Sequence, residues 1–424
     1  SYARFLIGGT EGEVAPSRVL VGRDMRPSGP GFVAAFARGV TSQGLDVVDL
    51  GLCSTDEVYF ASGSMDAPAA MFTASHNPAG YNGIKFCRSG ARPLGLDSGL
   101  DRVRDDARAD LEPMGEPGVV TTADVLEQFV DHVRSFVDVD RLSPLSVVAD
   151  VANGMGGLVV PAAFEGLNPK LEVMYGELDG SFPNHPADPL QPENQAALRD
   201  RVLGVGADVG LAFDGDADRV FLVDEQGQGL SGSTTTAIIA AAMLREHPGA
   251  TIIHNLIVSK AVPEVIAEGG GVAVRTRVGH SYIKAVMAEH DALFGGEHSA
   301  HYYFADNYRA DSGLIAAMVV LAEMSRSGQP LSELRQPFER YAASGEINSV
   351  VADPIGTMAR VEEAYMGADR DHLDGLTVDL GDWWFNLRSS NTEPLLRLNL
   401  EAADDEAVAE HSAEVLTLIR GKES

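Results

Sequence analysis

Short apolar segments alternate with amphipathic segments along most of the chain, separated by glycine, proline and aspartate. Residues 17–24, SRVLVGRD, predict a buried strand that ends in a polar loop. Residues 30–44 predict a helix closed by Gly44, and 45–51 predict the next strand. Strand, polar loop and helix in this order are typical of α/β units.

The same succession returns twice. Residues 145–150 predict a strand with an apolar helix near 158–166. Residues 250–256 predict another strand, followed by a helix over 259–270 and a strand over 272–279. This recurrence predicts three related domains built from mixed sheets.

The final stretch follows a different pattern. Residues 376–390 and 394–402 alternate apolar and polar positions as antiparallel strands do, and 405–420 form an amphipathic helical pattern. We therefore predict an α/β protein with three related mixed-sheet α/β domains and a smaller C-terminal α+β domain. Linker-like runs lie at 112–118, 223–229 and 344–353. The predicted domains are 1–117, 118–225, 226–343 and 344–424.

Composition limits the classes of partner. The formal net charge of −30 argues against nucleic acid or an anionic membrane, because both require a basic surface. No apolar run approaches the roughly 18 residues of a membrane span. The N-terminal residues lack the charged-then-apolar order of a signal peptide. Cys53 and Cys87 show no metal-ligand spacing, so we expect a reduced, cytoplasmic protein.

The sequence DGDADR places three carboxylates after a predicted strand over 208–213. Asp214, Asp216 and Asp218 occupy alternate positions, so their oxygens point to one side, where they repel one another unless a hard cation binds. That set leaves coordination positions open, as Mg²⁺ prefers. A calcium loop is excluded, because its sixth position is Arg219 rather than glycine. The remaining alternative is a solvated acidic hairpin.

The stretch TASHNPAGYNGIKF places Ser75 where a predicted strand ends and a tight turn begins. His76 is adjacent, and Lys85, one of only five lysines, follows in the same stretch. A serine–histidine pair occurs in acyl-transfer enzymes, but the nucleophile elbow G-x-S-x-G is absent. An ordinary polar turn is the competing interpretation.

Three further clusters carry polar groups. In GGEHSAHYYF, an extended backbone would point Glu297, Ser299 and His301 the same way, a donor and acceptor set suited to sugar hydroxyls. The alternative is a satisfied strand edge.

RSSNTEPLLR combines arginines with small hydroxyl and amide donors before a proline, as a phosphate cradle does. The alternative is a β-turn with surface arginines. The cradle residues are Arg388, Ser390, Asn391, Thr392 and Arg397. RTRVGHSYIK adds Arg277, His280 and Lys284, where the alternative is a helix N-terminus with ordinary charges.

Together, TASHNP, DGDADR, GEHSAH and RSSNTEP resemble, in order and spacing, the signatures of the α-D-phosphohexomutase family. The resemblance spans nearly the whole chain and is closest to the bacterial phosphomannomutase/phosphoglucomutase branch. It implies four domains around a central cleft.

The resemblance also implies roles for residues. Ser75 would be the phosphoserine, and Asp214, Asp216 and Asp218 would hold Mg²⁺ with a phosphoserine oxygen. His76, Lys85 and His280 would be candidates for proton transfer. The substrate-binding residues would be Arg219, Arg277, Lys284, Glu297, Ser299, His301, Arg388, Ser390, Asn391, Thr392 and Arg397.

The implied function is interconversion of hexose 6-phosphate and hexose 1-phosphate. Mannose phosphate would be the main substrate and glucose phosphate a second one. The reaction would pass through a hexose 1,6-bisphosphate, which would also serve as activator. The partners would be small hexose phosphates, and the chain a monomer or homodimer. The alternatives are a phosphoglucosamine mutase, a phosphatase, or a non-catalytic sugar-phosphate-binding protein of the same fold.

Overall fold

The computed structural model describes residues 1–9, 14–109, 111–389 and 395–421. These residues form four sheets that follow one another along the chain. In the first three, parallel strands lie beside at least one antiparallel strand, and the fourth is entirely antiparallel. The predicted fold class, three mixed-sheet α/β domains and one α+β domain, is confirmed.

The first sheet has the strand order β5-β4-β3-β1-β2-β6. Its elements are α1 (Tyr2–Gly8), β1 (Arg18–Arg23), α2 (Gly29–Thr41), β2 (Asp46–Leu52), α3 (Thr55–Ser64), β3 (Ala69–Phe72), β4 (Ile84–Arg88), β5 (Arg92–Pro93), α4 (Leu100–Asp106) and β6 (Val120–Thr122). Because β6 pairs in parallel with β2, residues 120–122 belong to the first sheet. The predicted domain boundaries stay a proposal.

The second sheet has the order β10-β9-β7-β8 and the third β12-β11-β13-β14. The second domain contains α5 (Leu126–Arg134), β7 (Ser146–Asp150), α6 (Gly156–Phe164), β8 (Lys170–Met174), α7 (Ala196–Val205), β9 (Val209–Phe213) and β10 (Val220–Asp224). The third contains α8 (Gly232–Glu246), β11 (Thr251–Asn255), α9 (Ala261–Glu268), β12 (Val272–Thr276), α10 (His280–Glu289), β13 (Phe294–Gly296), β14 (Tyr302–Phe304), α11 (Gly313–Ser327) and α12 (Leu331–Leu334).

The fourth sheet has the order β15-β19-β18-β17-β16 and is covered by helices. Its elements are β15 (Ala342–Val350), α13 (Pro354–Ala364), β16 (Asp369–Asp371), β17 (Leu376–Asp379), β18 (Trp384–Ser389), β19 (Leu395–Ala402) and α14 (Asp405–Arg420). Among the described residues, no helix combines the length and apolar character needed to cross a bilayer.

The sheets bring three loops into one region. Ser75 follows β3, Asp214 follows β9 and Glu297 follows β13, and each of these strands runs parallel to a neighbour. Loops at the carboxyl ends of parallel strands are the usual place for ligand sites in such folds. The second and third domains share one continuous apolar core. The loops after β9 and β13 therefore extend from the same packed body.

Candidate active site

Ser75 lies in a tight loop, here called the serine loop (residues 73–83), between β3 and β4. The backbone N–H of Thr73 donates to the carbonyl of Gly83 at 3.2 Å and closes the loop at its base. Ser75 has φ +50°, a conformation that costs free energy for a residue other than glycine. Its N–H donates to Oγ1 of Thr73 at 2.9 Å. The surrounding contacts thus hold a strained serine at a predicted site.

The Ser75 hydroxyl faces the acidic loop of the second domain. Its Oγ donates to Oδ2 of Asp214 at 2.7 Å. Arg219 reaches both residues: its Nη2 lies 3.2 Å from Ser75 Oγ and 2.8 Å from Asp214 Oδ2. The two motifs, far apart in sequence, therefore form one site.

The acidic loop joins β9 to β10 and is buried. Asp214, Asp216 and Asp218 each offer a carboxylate oxygen within 4.8 Å of the others. Lys85 Nζ bridges two of them, at 2.7 Å from Asp216 Oδ2 and 2.6 Å from Asp218 Oδ2. The site thus contains three carboxylates and the two cations Lys85 and Arg219.

The carboxylates differ in their pKa values. Burial and the neighbouring carboxylates raise the pKa of Asp214, which Arg219 partly offsets, and they also raise the pKa of Asp218. Burial opposes ionisation of Asp216 as well, but Lys85 outweighs it and holds the pKa of Asp216 well below its usual range. The same two carboxylates raise the pKa of Lys85 well above its ordinary value despite its burial. Lys85 is therefore an ammonium ion at neutral pH.

The donor set fits a metal ion. Oδ1 of Asp216 and Oδ1 of Asp218 are buried and accept no hydrogen bond from the described residues. Buried polar atoms are normally paired, so these two oxygens are available to a ligand. An all-carboxylate set matches the preference of hard divalent cations.

His76 and His280, the two histidines predicted to transfer protons, have lowered pKa values, whereas the pKa of Lys85 is raised. Nδ1 of His76 lies 3.3 Å from Ser75 Oγ. Partial loss of hydration, followed by the charge of Arg219, lowers the pKa of His76 to about 4. His280 begins α10, and partial loss of hydration together with Lys284 lowers its pKa to about 3. Both imidazoles are neutral at pH 7.

The predicted extended segment over 297–301 is wrong. The segment is a turn between the antiparallel strands β13 and β14, in which Ala300 N–H donates to the Glu297 carbonyl and Ala300 has φ +63°. Because of this turn, Glu297, Ser299 and His301 do not share one face. The backbone of His301 instead forms a bridge with that of Arg219, which docks the turn on the acidic loop.

Glu297 is buried, and three groups hold its carboxylate. The Tyr303 hydroxyl donates to Oε1 at 2.6 Å, and Asn255 Nδ2 and the Gly279 N–H reach Oε2 at 3.1 and 3.3 Å. Tyr303 and Asn255 were not predicted as site residues. They lie on β14 and at the end of β11, the two strands on either side of β13, so only sheet pairing brings them to Glu297.

His301 pairs with Asp311, another residue that the sequence did not indicate. His301 Nδ1 lies 2.8 Å from Asp311 Oδ2. Burial opposes protonation of His301, but this hydrogen bond and Asp218 outweigh it and raise the pKa of His301. Lys284 Nζ lies 3.0 Å from Asp311 Oδ1 and 3.7 Å from the centre of the Tyr59 ring. Lys284 is therefore buried between Asp311 and the Tyr59 ring.

The remaining predicted residues lie elsewhere. Arg388 and Arg397 are directly opposite each other on β18 and β19, and both pair with Glu346. Arg277 is exposed and packs over the ring of Tyr282 at 4.5 Å. The predictions for Ser390, Asn391 and Thr392 lie outside the described residues.

The comparisons with known proteins cover most of the chain. The family model described as phosphoglucomutase/phosphomannomutase, alpha/beta/alpha domain I, matches residues 7–110. Domain II of the same description matches 127–228, domain III matches 231–341, and the C-terminal domain matches 346–418. The chain belongs to the phosphoglucomutase/phosphomannomutase family. The resemblance to phosphohexomutases is thereby confirmed.

Similar proteins are known in bacteria. The phosphohexose mutases of Xanthomonas campestris pv. campestris are 39% identical over 409 residues, which cover 95% of this chain and 91% of theirs. The phosphomannomutase of Escherichia coli K12 is 39% identical over 427 residues, covering 97% and 94%. A solved phosphoglucomutase/phosphomannomutase family protein from Burkholderia thailandensis superposes with a TM-score of 0.85 at 30% identity, covering 96% and 90%. The chain is a hexose phosphate mutase, an intramolecular phosphotransferase of the isomerase class.

Proposed function

We propose that this mutase interconverts hexose 6-phosphate and hexose 1-phosphate through a phosphate carried on Ser75. The observation that carries the proposal is the 2.7 Å contact of Ser75 Oγ with Asp214, beside the Arg219 guanidinium. A dianionic phosphate on Ser75 would face the three aspartates, so it needs cations to offset the repulsion. Lys85 and Arg219 supply two positive charges there.

The proposed reaction has two balanced steps. The P–Oγ bond of phosphoserine breaks while a bond forms from phosphorus to the free sugar hydroxyl, which loses its proton as Ser75 Oγ gains one. The product is a hexose 1,6-bisphosphate. After this intermediate reorients, its other phosphate returns to Ser75 by the reverse exchange. Phosphoryl transfer depends chiefly on positioning and charge stabilisation, which this buried site provides.

We propose Mg²⁺ as the metal, held by Asp214, Asp216, Asp218 and an oxygen of phosphoserine. When bound, the ion supplies Lewis-acid neutralisation of charge on the transferred phosphoryl group. The Oδ1 atoms of Asp216 and Asp218 support this assignment, since neither accepts a hydrogen bond from the described residues. Arg219 would keep Asp214 oriented toward both the ion and Ser75.

Thr55, at the start of α3, holds one proposed metal ligand from the first domain. Its Oγ1 donates to Asp216 Oδ2 at 2.6 Å, and its N–H donates to the Asp216 carbonyl at 3.0 Å. Thr55→Val should raise the Mg²⁺ concentration for half-maximal activity about 10- to 100-fold, because it removes a hydrogen bond that orients a ligand.

Thr55→Ser is the matched control, since it keeps the hydroxyl and should keep most of the metal affinity. Calorimetric titration of the metal measures both variants without relying on turnover. Equal Mg²⁺ affinity in Thr55→Val and the unmodified protein would show that Thr55 does not orient Asp216.

For the sugar and the distal phosphate we propose separate groups. Glu297 and Ser299 would recognise sugar hydroxyls, and Arg388 and Arg397, with the 390–392 segment, would hold the phosphate that is not reacting. Two arginines on adjacent strands suit a phosphate because each guanidinium offers forked donors. We move Lys284 from substrate binding to support of Asp311, given its burial.

We propose three candidates for proton transfer. They are the neutral imidazoles of His76 and His280 and the imidazole of His301, which pairs with Asp311. Lys85 is assigned to charge stabilisation, because its ammonium is bound between two carboxylates. The pH profile of kcat in His76→Gln, His280→Gln and His301→Gln variants identifies which imidazole moves the proton.

We propose mannose phosphate as the preferred substrate, with glucose phosphate also accepted. Similar proteins named phosphomannomutase support this choice. Turnover of mannose, glucose and glucosamine 6-phosphates, with a hexose 1,6-bisphosphate as activator, tests it. We expect the mannose and glucose compounds to be turned over faster than the glucosamine compound.

A preference for glucosamine phosphate would identify a phosphoglucosamine mutase instead. Release of inorganic phosphate without isomerisation would identify a phosphatase, and binding without turnover of any sugar would leave a sugar-phosphate-binding protein. Each of these outcomes contradicts the proposed reaction in a distinct way.

A further inference from the structure

One guanidinium lies inside the serine loop. Arg26 follows β1 and is fully buried. Its Nε donates to Oδ2 of Asp24 at 3.1 Å, and its backbone N–H donates to Oδ1 of the same carboxylate at 2.9 Å. Asp24 thereby fixes the direction of the Arg26 side chain.

The other four N–H groups of Arg26 all reach backbone carbonyls of the serine loop. Nη2 donates at 2.9 and 2.7 Å, and Nη1 donates at 2.8 and 3.0 Å. The acceptors are the carbonyls of Ser75, Asn77, Pro78 and Tyr81. A guanidinium has five N–H donors, so every donor of this side chain is used. The loop is wrapped around a single cation.

The first of these carbonyls belongs to Ser75 itself. Its N–H is held by Thr73 and its carbonyl by Arg26, which together maintain the positive φ of +50°. Gly215 of the acidic loop approaches the same carbonyl so closely that an added Cβ would lie 2.5 Å from the oxygen. The Ser75 carbonyl is thus held between the two loops that form the site.

The second domain covers Arg26 from the opposite side. The ring of Phe182 lies 5.1 Å from the guanidinium carbon, within the range of a cation–π contact. A Cβ added to Gly180 would lie 2.7 Å from the Arg26 Cα, so this segment packs directly on the arginine backbone. The arrangement of the serine loop therefore depends on docking of the second domain.

We propose that Arg26 is the positioning residue of the phosphate carrier. It orients Ser75 toward Asp214 and Arg219, and it does so fully only while Phe182 covers it. Arg26 does not touch the substrate in this assignment, and its effect on turnover passes through the conformation of Ser75. The catalytic part of the inference rests on the proposed function, whereas the conformational part does not.

The principal variant is Arg26→Lys, which keeps the charge but offers three donors from one atom and cannot bond four separated carbonyls. We expect kcat to fall about 100-fold with KM within about 3-fold, since a nucleophile displaced by about 1 Å loses rate on that scale. Phosphorylation of Ser75 by hexose 1,6-bisphosphate should slow in parallel. Arg18→Lys, at the start of β1, is the control and should behave as the unmodified protein.

Hydrogen exchange gives a readout that does not need turnover. In Arg26→Lys, amides of residues 73–83 should exchange about 10-fold or more faster, while those of β9 keep their protection. Unchanged exchange of residues 73–83 in a folded Arg26→Lys protein would overturn the proposal, even if activity fell. Faster exchange with kcat within about 3-fold would overturn its catalytic part.

Two further measurements test the same inference without Arg26→Lys. Phe182→Leu removes the aromatic ring that covers Arg26. It should lower kcat and speed hydrogen exchange of residues 73–83, each by about 3- to 10-fold. Added guanidinium ion, far below unfolding concentrations, should restore part of the turnover of Arg26→Ala. Absence of both effects would overturn the proposal. If unmodified Ser75 accepts no phosphate, the proposed function fails, while hydrogen exchange still decides the conformational role.

Discussion

Ser75→Ala should abolish mutase turnover, by about 10⁴-fold or more, because the variant has no oxygen to carry the phosphate. Water or a second sugar cannot substitute for the carrier, because Ser75 must donate the first phosphoryl group and must accept the other one after the bisphosphate has reoriented. Intact-mass spectrometry after incubation with a hexose 1,6-bisphosphate should show added phosphate on the unmodified protein and none on Ser75→Ala.

Ser89→Ala is the matched control, because Ser89 directly follows β4, at the end away from the serine loop, and its hydroxyl donates to the Asp66 carbonyl. This variant should take up phosphate and turn over substrate as the unmodified protein does. Retained turnover in Ser75→Ala, or phosphate found on another residue, would refute Ser75 as the carrier. Lost turnover with unchanged binding of hexose phosphate would place the defect in phosphoryl transfer itself.

The two loops at the centre of the site were predictable because each carries its chemistry in a few consecutive residues. Asp214, Asp216 and Asp218 alternate after an apolar strand, and Ser75 follows another. Local pattern specifies both the strand and the loop that it opens. The same reasoning predicted the strands and helices of the sheets, which depend on hydrophobic periodicity.

The residues that support the site were not predictable in that way. Arg26 reaches Ser75 from 49 positions away, and Thr55 reaches Asp216 from 161 positions away. An arginine or threonine after a strand has many ordinary roles. Only tertiary packing brings Arg26 to the serine loop and Thr55 to Asp216. The available signal was the position of Asp24 and Arg26 beyond the end of β1, at the same sheet edge as Ser75.

The error at residues 297–301 has a related cause. The turn contains no glycine or proline, and Ala300 adopts φ +63° because β13 and β14 pair on either side of it. Pairing between strands overrode the local preference for an extended chain. The result separates Glu297, held by Tyr303, from His301, held by Asp311.

Asp216→Asn should raise the Mg²⁺ concentration for half-maximal activity by at least about 100-fold. Removing a residue that only supports a metal ligand costs up to about 100-fold in affinity, and loss of the ligand itself should cost at least as much. Asp216 is the carboxylate that Lys85 keeps ionised, so its substitution also removes the partner of that ammonium ion. Thermal unfolding supplies a readout besides activity. At 100 times the dissociation constant, bound metal stabilises a protein by about 2.7 kcal/mol.

At the same Mg²⁺ concentration, a 100-fold weaker site would contribute only about 0.4 kcal/mol, so the metal-dependent rise in Tm should nearly vanish in Asp216→Asn. Asp208→Asn is the matched control, because this exposed aspartate lies just before β9 and its side chain accepts a hydrogen bond from the Ser146 N–H. It should keep the full metal-dependent rise. An equal rise in all three proteins would exclude Asp216 as a ligand and would leave it a structural role through its contacts with Lys85 and Thr55.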